Sequence, residues 1–293
     1  MYEIKQSVMD GYTIYQLFNC ETNSVVRIAP ERGGMVAGYK SEGEELLYLN
    51  EETFSDSESN VRGGIPVLFP ICGELEEKQY RLNGVTYTMK NHGFARNLPW
   101  DVVETSTEDG AQLTLQLKSK RETKKSFPFD FELRFTYILK NNELIIKQSY
   151  SNHSSEIMPF YAGFHPYFHS EDKNLVYQAD AKDYFDYNDG EVKPFHGEVN
   201  LTEKREAVAL KHVDKHQIKF DLKQMNQRIT ISYGSEFKYA VLWTEQNKGF
   251  VCIEPWMAKM NDFNEKEDLQ FVKPGETMNT FVTIGTETIC ESR

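Results

Sequence analysis

The sequence predicts an all-β fold, a large antiparallel β-sandwich with two sheets packed face to face, on three observations. Long stretches alternate between apolar and polar residues, the period of a half-buried strand. Aromatic residues are abundant, with 16 Tyr and 19 Phe among 293 residues, and such rings fit a pleated surface. Helical periodicity is scarce.

The alternation is fullest in FPFDFELRFTYIL, where Phe127, Phe129, Phe131, Leu133, Phe135, Tyr137 and Leu139 share one face of an expected long strand. KNNE reads as a turn, and LIIKQSY then puts Leu144, Ile146, Gln148 and Tyr150 on one face, so the pair predicts a hairpin. AQLTLQLKSK, RITISYG and YAVLWTE are further expected strands, and YRLNGVTYTM predicts a hairpin around Asn83-Gly84. LTEKREAVAL, residues 201–210, is expected as at most a short helix. No internal repeat, low-complexity tract or Pro/Gly/Ser linker divides the chain, so residues 1–293 are expected to form a single domain.

Hydrophobic residues make up 39% and charged residues 27%, a globular balance. The net charge of -12 and the absence of any Lys/Arg block exclude nucleic acid and anionic membrane as expected partners. A small anion stays eligible. Charge beyond a Debye length of about 8 Å is largely screened, whereas an arginine at 4 Å contributes roughly 4 kcal/mol at an effective dielectric near 20. The first twenty residues show neither the basic nor the apolar region of a signal peptide. The apolar stretch IPVLFPIC is too short to span a membrane. Cys20, Cys72, Cys252 and Cys290 lack metal or redox spacing. They are expected to be reduced and buried, in a cytoplasmic protein.

Four segments break the pattern. In RGGIPVLFPICG, residues 62–73, Pro66 and Pro70 each remove a ladder donor, so this is no ordinary central strand. Gly63 and Gly64 permit close backbone approach, and Arg62 stands at the entrance, either functional or simply solvated. In HGFARNLPW, residues 92–100, His92 and Arg96 could converge on an anion or on sugar hydroxyls, or the loop could be only an ordered one. In GFHPYFHS, His165 and His169 are four apart, a zinc spacing only on a helix. Pro166 biases His165 toward extended chain, where residues four apart are separated by about 13 Å, so no metal is expected, and His165 is either functional or a satisfied core histidine. In GFVCIEPW, residues 249–256, alternation puts Phe250, Cys252, Glu254 and Trp256 on one face. A carboxylate in that company is costly unless hydrogen-bonded or used; otherwise the strand ends and Glu254 reaches solvent.

Taken in order, RGGIPVLFP, HGFARNLPW, FHPYF and CIEPW resemble the aldose 1-epimerase (galactose mutarotase-like) family, over most of the chain from about residue 25 to PGETMNTFVTIG. The resemblance implies a galactose mutarotase-like β-supersandwich and an isomerase of carbohydrate metabolism without cofactor or metal. It implies His165 as general acid, Glu254 as general base, His92 as a substrate-orienting residue and Arg62 as a substrate contact. Arg96 is similar to an arginine of hexose-6-phosphate epimerases, where paired arginines hold phosphate. The family also has an aspartate near the sugar hydroxyls, for which Asp183, Asp186 and Asp189 are all candidates. The implied partner is a small sugar or sugar phosphate. The competing function is a non-catalytic sugar-binding or regulatory protein on the same fold. Trp243 or Trp256 could stack on a pyranose, or pack only in the core. A nearby carboxylate is expected to raise the histidine pKa and so favour imidazolium. The sequence carries no signal for oligomeric state.

Overall fold

In the computed structural model, which describes residues 1–212 and 214–289, strands hold 51% of the chain. The α-helices among the described residues are two short ones, Glu51–Ser55 and Asp262–Glu265. Two eight-stranded sheets dominate. In the first, the order is Tyr177–Ala179, Gln217–Leu222, Gln227–Tyr233, Thr277–Thr288, Glu143–Asn152, Phe131–Lys140, Ala111–Lys118 and Asp101–Ser106. In the second it is Glu191–Pro194, Asp183–Asp186, Val208–Lys211, Tyr239–Trp243, Phe250–Trp256, Gly163–Phe164 and Val67–Leu68, with Tyr167–His169 also paired to Phe250–Trp256. A five-stranded sheet covers residues 2–45, and two small two-stranded sheets complete the β structure.

The expected hairpin forms, with Leu139 opposite Leu144 and Phe131 opposite Asn152. Its strand begins later than alternation suggests. Phe127 and Phe129 are buried, but the Phe127 N–H bonds to the Thr123 carbonyl at 2.8 Å and the Phe129 N–H to the Phe127 carbonyl. Local turns take the donors that a ladder would need, so Phe131–Lys140 is the strand. Phe131, Leu133, Phe135, Tyr137 and Leu139 all face the core, each large side chain gaining roughly 1.5–3 kcal/mol from burial. Phe135 meets Phe164 of the second sheet at 6.0 Å between ring centroids. One buried cluster runs through both sheets, the face-to-face packing that the alternation predicted. Asn83 and Gly84, both at positive φ, make the expected turn between Gln79–Leu82 and Val85–Thr88.

Two expectations fail. Residues 201–210 form no helix: Val208–Lys211 instead joins the second sheet beside Tyr239–Trp243. Cross-strand pairing there outweighs a weak helical pattern. Cys20 is exposed; Cys72 and Cys252 are buried, and all three are free thiols. Cys290 lies outside the described residues. Among those residues, no helix is long and apolar enough to cross a membrane.

Candidate active site

The Pro-broken segment 62–73 presses against Met35–Ser41. A Cβ on Gly64, which sits at φ 62°, would lie 2.2 Å from the Val36 carbonyl oxygen, so only glycine fits. The prolines give no donors, yet their carbonyls accept: the His165 N–H bonds to Pro66 at 3.1 Å and the Tyr161 N–H to Pro70 at 2.9 Å. His165 therefore lies in extended chain between Gly163–Phe164 and Tyr167–His169, both paired to Phe250–Trp256. On that last strand Cys252, Glu254 and Trp256 alternate onto one face, as expected.

The outcome is a buried pair. His165 Nε2 lies 3.5 Å from Glu254 Oε1. The other carboxylate oxygen accepts from Trp256 Nε1 at 3.0 Å. Glu254 is 1% exposed, which rules out the solvent-facing alternative. The His165 ring stacks on Tyr167 at 4.6 Å, with Trp243 and His92 edge-on at 5.8 and 5.4 Å. His165 Nδ1 is buried without a hydrogen-bond partner.

The electrostatics reverse the expected direction. Burial, followed by His92 and then the charges of Arg96 and Arg62, pushes His165 well below the ordinary histidine range. Burial likewise pushes Glu254 well above the carboxylate range, against the Trp256 bond and Arg96. A carboxylate beside an imidazole favours the ion pair only where desolvation is smaller than the attraction. Here burial is the larger effect, and the directions of both shifts disfavour the ion pair.

His92 turns toward the same place from a loop in which it holds φ 63°. Its Nδ1 is 2.7 Å from the Cys72 carbonyl, which only accepts, so Nδ1 carries the proton and Nε2 remains an acceptor. Burial and then Arg96 bring its pKa down to about 3, so it is neutral. Arg96 is partly buried, donates to the Asn91 carbonyl at 3.1 Å and leaves Nε without a partner. Burial lowers it to about 10, which leaves it a cation at neutral pH. The exposed Arg62 lies over the Trp243 ring at 5.3 Å.

A cavity of about 240 Å³ collects Arg62, Asn91, His92, His165, Trp243, Glu254 and Trp256. A second cavity of about 390 Å³ shares Arg62, Asn91 and His92 and adds Arg96, Lys78 and Lys90. His165, Glu254, Arg62, His92 and Arg96 thus each border one or both. Arg205, Glu206, Asn91 and Met260 line the first cavity without any sequence signal that pointed to them.

His169 diverges from His165: it packs edge-on against Tyr48 at 5.6 Å and borders a different cavity, so the two do not form a metal pair. Ligand atoms of His165, Cys252 and Glu254 do lie within 4.8 Å of one another, the set at this site that could hold a metal. None of the three aspartates borders either cavity. Asp183 is exposed, and Asp189 is ion-paired with Lys193. Asp186 is wholly buried. Burial pushes its carboxyl up, but bonds from Lys193, Lys204 and Asn188 outweigh this and hold it well below the usual range.

The family model described as aldose 1-epimerase matches residues 18–285. The structure of the Slr1438 protein from Synechocystis sp. PCC 6803 is 36% identical, with a TM-score of 0.91 over 94% of this chain and 96% of that one. A galactose mutarotase-like protein from Clostridium acetobutylicum shares the fold at 22% identity and a TM-score of 0.84, covering 98% of this chain and 99% of its own. An Escherichia coli relative named "Putative glucose-6-phosphate 1-epimerase" is 36% identical over 104 residues, 35% of this chain and 32% of that relative.

Proposed function

The chain belongs to the aldose 1-epimerase family, and we propose that it interconverts the α and β anomers of a hexopyranose, with a hexose 6-phosphate as the favoured substrate class. The observation that carries this reading is the buried contact of His165 with Glu254 at 3.5 Å on the wall of a small cavity. Binding a sugar calls for no such pair, whereas anomerisation needs a base and an acid at once.

With the pair's one proton passed to His165 across their 3.5 Å contact, Glu254 removes the proton from the anomeric hydroxyl while His165 protonates the ring oxygen. The bond from C1 to the ring oxygen breaks, the free aldehyde turns about C1–C2, and the ring recloses on the other face of the carbonyl. On reclosure the two groups exchange roles. The steps move two protons and break and remake one C–O bond, so they ask for no cofactor. His92, neutral with Nε2 as acceptor, receives a sugar hydroxyl. Trp243, partly exposed at the cavity, offers a stacking face.

Arg62 and Arg96, with Lys78 and Lys90, form a basic annex beside the sugar cavity. Arginines match phosphate oxygens with paired donors, and the name of the E. coli relative supports the same class. A phosphate there also bears on the chemistry. Burial and then His92 depress His165, with Arg96 and Arg62 adding to the fall; a bound dianion would offset the two arginines and move His165 in the direction of imidazolium, the state in which Glu254 is the base. We place the reaction in the cytoplasm, within a single domain; the free thiols support that compartment.

Glu254→Gln is expected to lower kcat by at least about 100-fold, the scale of one lost proton transfer, while calorimetry still detects sugar binding. Near-normal turnover would remove Glu254 from the mechanism. Calorimetry with glucose and glucose 6-phosphate at low and high salt tests the annex: tighter, salt-sensitive binding of the phosphate is expected, and equal, salt-independent affinities would remove it.

A further inference from the structure

Arg205 and Glu206 line the sugar cavity but not the basic annex, so they face the part of a ligand away from the phosphate end. Both are exposed and lie on irregular chain before Val208–Lys211. An exposed loop ordinarily leaves its backbone to water. Here side chains take all four backbone polar groups of the two residues. Asn188 Oδ1 accepts from the Arg205 N–H at 3.0 Å and the Glu206 N–H at 2.9 Å. Asn188 Nδ2 donates to the Glu206 carbonyl at 2.9 Å. Trp243 Nε1 donates to the Arg205 carbonyl at 3.2 Å.

Asn188 is itself fixed from below. Its amide donates to Asp186 Oδ1 at 2.8 Å and its backbone N–H to the same oxygen at 3.1 Å. Asp186 is wholly buried, and its other oxygen receives Lys193 Nζ at 2.7 Å and Lys204 Nζ, the residue just before Arg205. The Trp243 indole tied to the Arg205 carbonyl also meets the His165 ring edge-on and lies under Arg62. Holding two exposed residues this firmly costs conformational entropy that no core contact of theirs returns. The arrangement makes sense if their side chains must be presented to a ligand in one geometry.

We propose that Arg205 and Glu206 form a hydroxyl-binding wall for the pyranose ring, and that Asp186 and Asn188, which do not border the cavity, are the positioning residues that hold it. A guanidinium supplies only donors and a carboxylate only acceptors. Side by side they match vicinal ring hydroxyls, each of which both gives and receives, through charge-assisted bonds. The ligand class is a cyclic aldose with free hydroxyls on ring carbons remote from the phosphate. The inference rests on the epimerase reading.

The test deletes hydroxyls and side chains together. Anomerisation of D-glucose, glucose 6-phosphate and the 2-, 3- and 4-deoxy forms of each is measured with wild type, Arg205→Ala, Glu206→Gln and Asn188→Ala. Wild type is expected to lose about tenfold or more in kcat/KM on at least one deoxy sugar. That penalty is expected to shrink to about threefold or less in Arg205→Ala or Glu206→Gln, because the deleted partners interact. Asn188→Ala is expected to raise KM about tenfold, with a smaller fall in kcat and a cooperative unfolding transition retained. Deoxy penalties that are the same in wild type and both wall variants overturn the wall while leaving the epimerase reading intact. An unchanged KM in Asn188→Ala overturns the positioning role. A wild type that accelerates none of these sugars overturns the epimerase reading, and this inference falls with it.

Discussion

Two histidine–carboxylate pairs, buried His165 with buried Glu254 and buried His212 with half-buried Asp180, are built differently. His212 is satisfied at both ring nitrogens: Nδ1 lies 3.2 Å from Asp180 Oδ1, and Nε2 meets the Tyr233 hydroxyl. The second Asp180 oxygen takes the backbone N–H groups of Asp214 and Lys215. His165 stands 3.5 Å from Glu254, leaves Nδ1 without a hydrogen-bond partner and faces a cavity. The first arrangement closes a hydrogen-bond network and braces the fold. The second leaves a buried histidine under-satisfied beside empty space, a cost that a structural role does not return but proton transfer to a ligand does. Residue type alone does not distinguish the two; the completeness of hydrogen bonding does.

The comparison breaks most sharply at the carboxylates. Glu254→Gln should cost at least about 100-fold in kcat, as above. Asp180→Asn should leave kcat within about threefold and instead lower stability by about 1–3 kcal/mol, as expected for a partner removed from a buried network. Thermal unfolding read beside polarimetry separates them. If Asp180→Asn abolishes turnover while unfolding normally, the two pairs are not distinct in kind.

Arg96→Ala sharpens the electrostatic half of the contrast. The KM for glucose 6-phosphate should rise by about tenfold or more, because a charge-assisted contact is lost, with little change for glucose. A parallel rise for both sugars would assign Arg96 to general site integrity.

The pH profile gives a smaller and more diagnostic effect. In the free protein both shifts disfavour the ion pair and leave the pair with one proton between them. Activity in kcat/KM therefore falls on the acid side as His165 also protonates, below the ordinary histidine range, and on the alkaline side as Glu254 loses its proton, above the ordinary carboxylate range. The groups facing His165 are Glu254, His92, Tyr167, Arg62 and Arg96, and among these a substrate phosphate offsets the two arginines. Occupying them raises the histidine pKa, so the acid limb of kcat should lie at higher pH with glucose 6-phosphate than with glucose. Coincident limbs would show that the annex does not act on the pair.

Much of the first sheet was legible because one residue in two reports burial: Leu133, Phe135 and Tyr137 face the core as the alternation implies. Pairings across distance were not legible, such as Gly163 with Trp256, because periodicity says which face is buried and nothing about the neighbour. His165, Glu254, His92, Arg62 and Arg96 could be named from motifs, and the fold brings them together. Their protonation could not, because it is set by how deeply the pair is buried. Arg205 and Glu206 left no mark at all: they sit in a polar stretch whose geometry comes from Asn188, seventeen residues upstream of Arg205. The helix expected over 201–210 failed for the same reason, since Asn188 and the strand Tyr239–Trp243 claim its backbone groups.

The central claim is that His165 and Glu254 together move protons on a sugar ring. The most direct test is exchange NMR of the anomers of D-glucose, D-galactose and glucose 6-phosphate at pH 7, with wild type and His165→Asn. Wild type should accelerate anomer exchange, most for the phosphate, and His165→Asn should lose at least about 100-fold of that acceleration. A wild type no faster than buffer on all three sugars, or a His165→Asn variant as fast as wild type, would contradict the account.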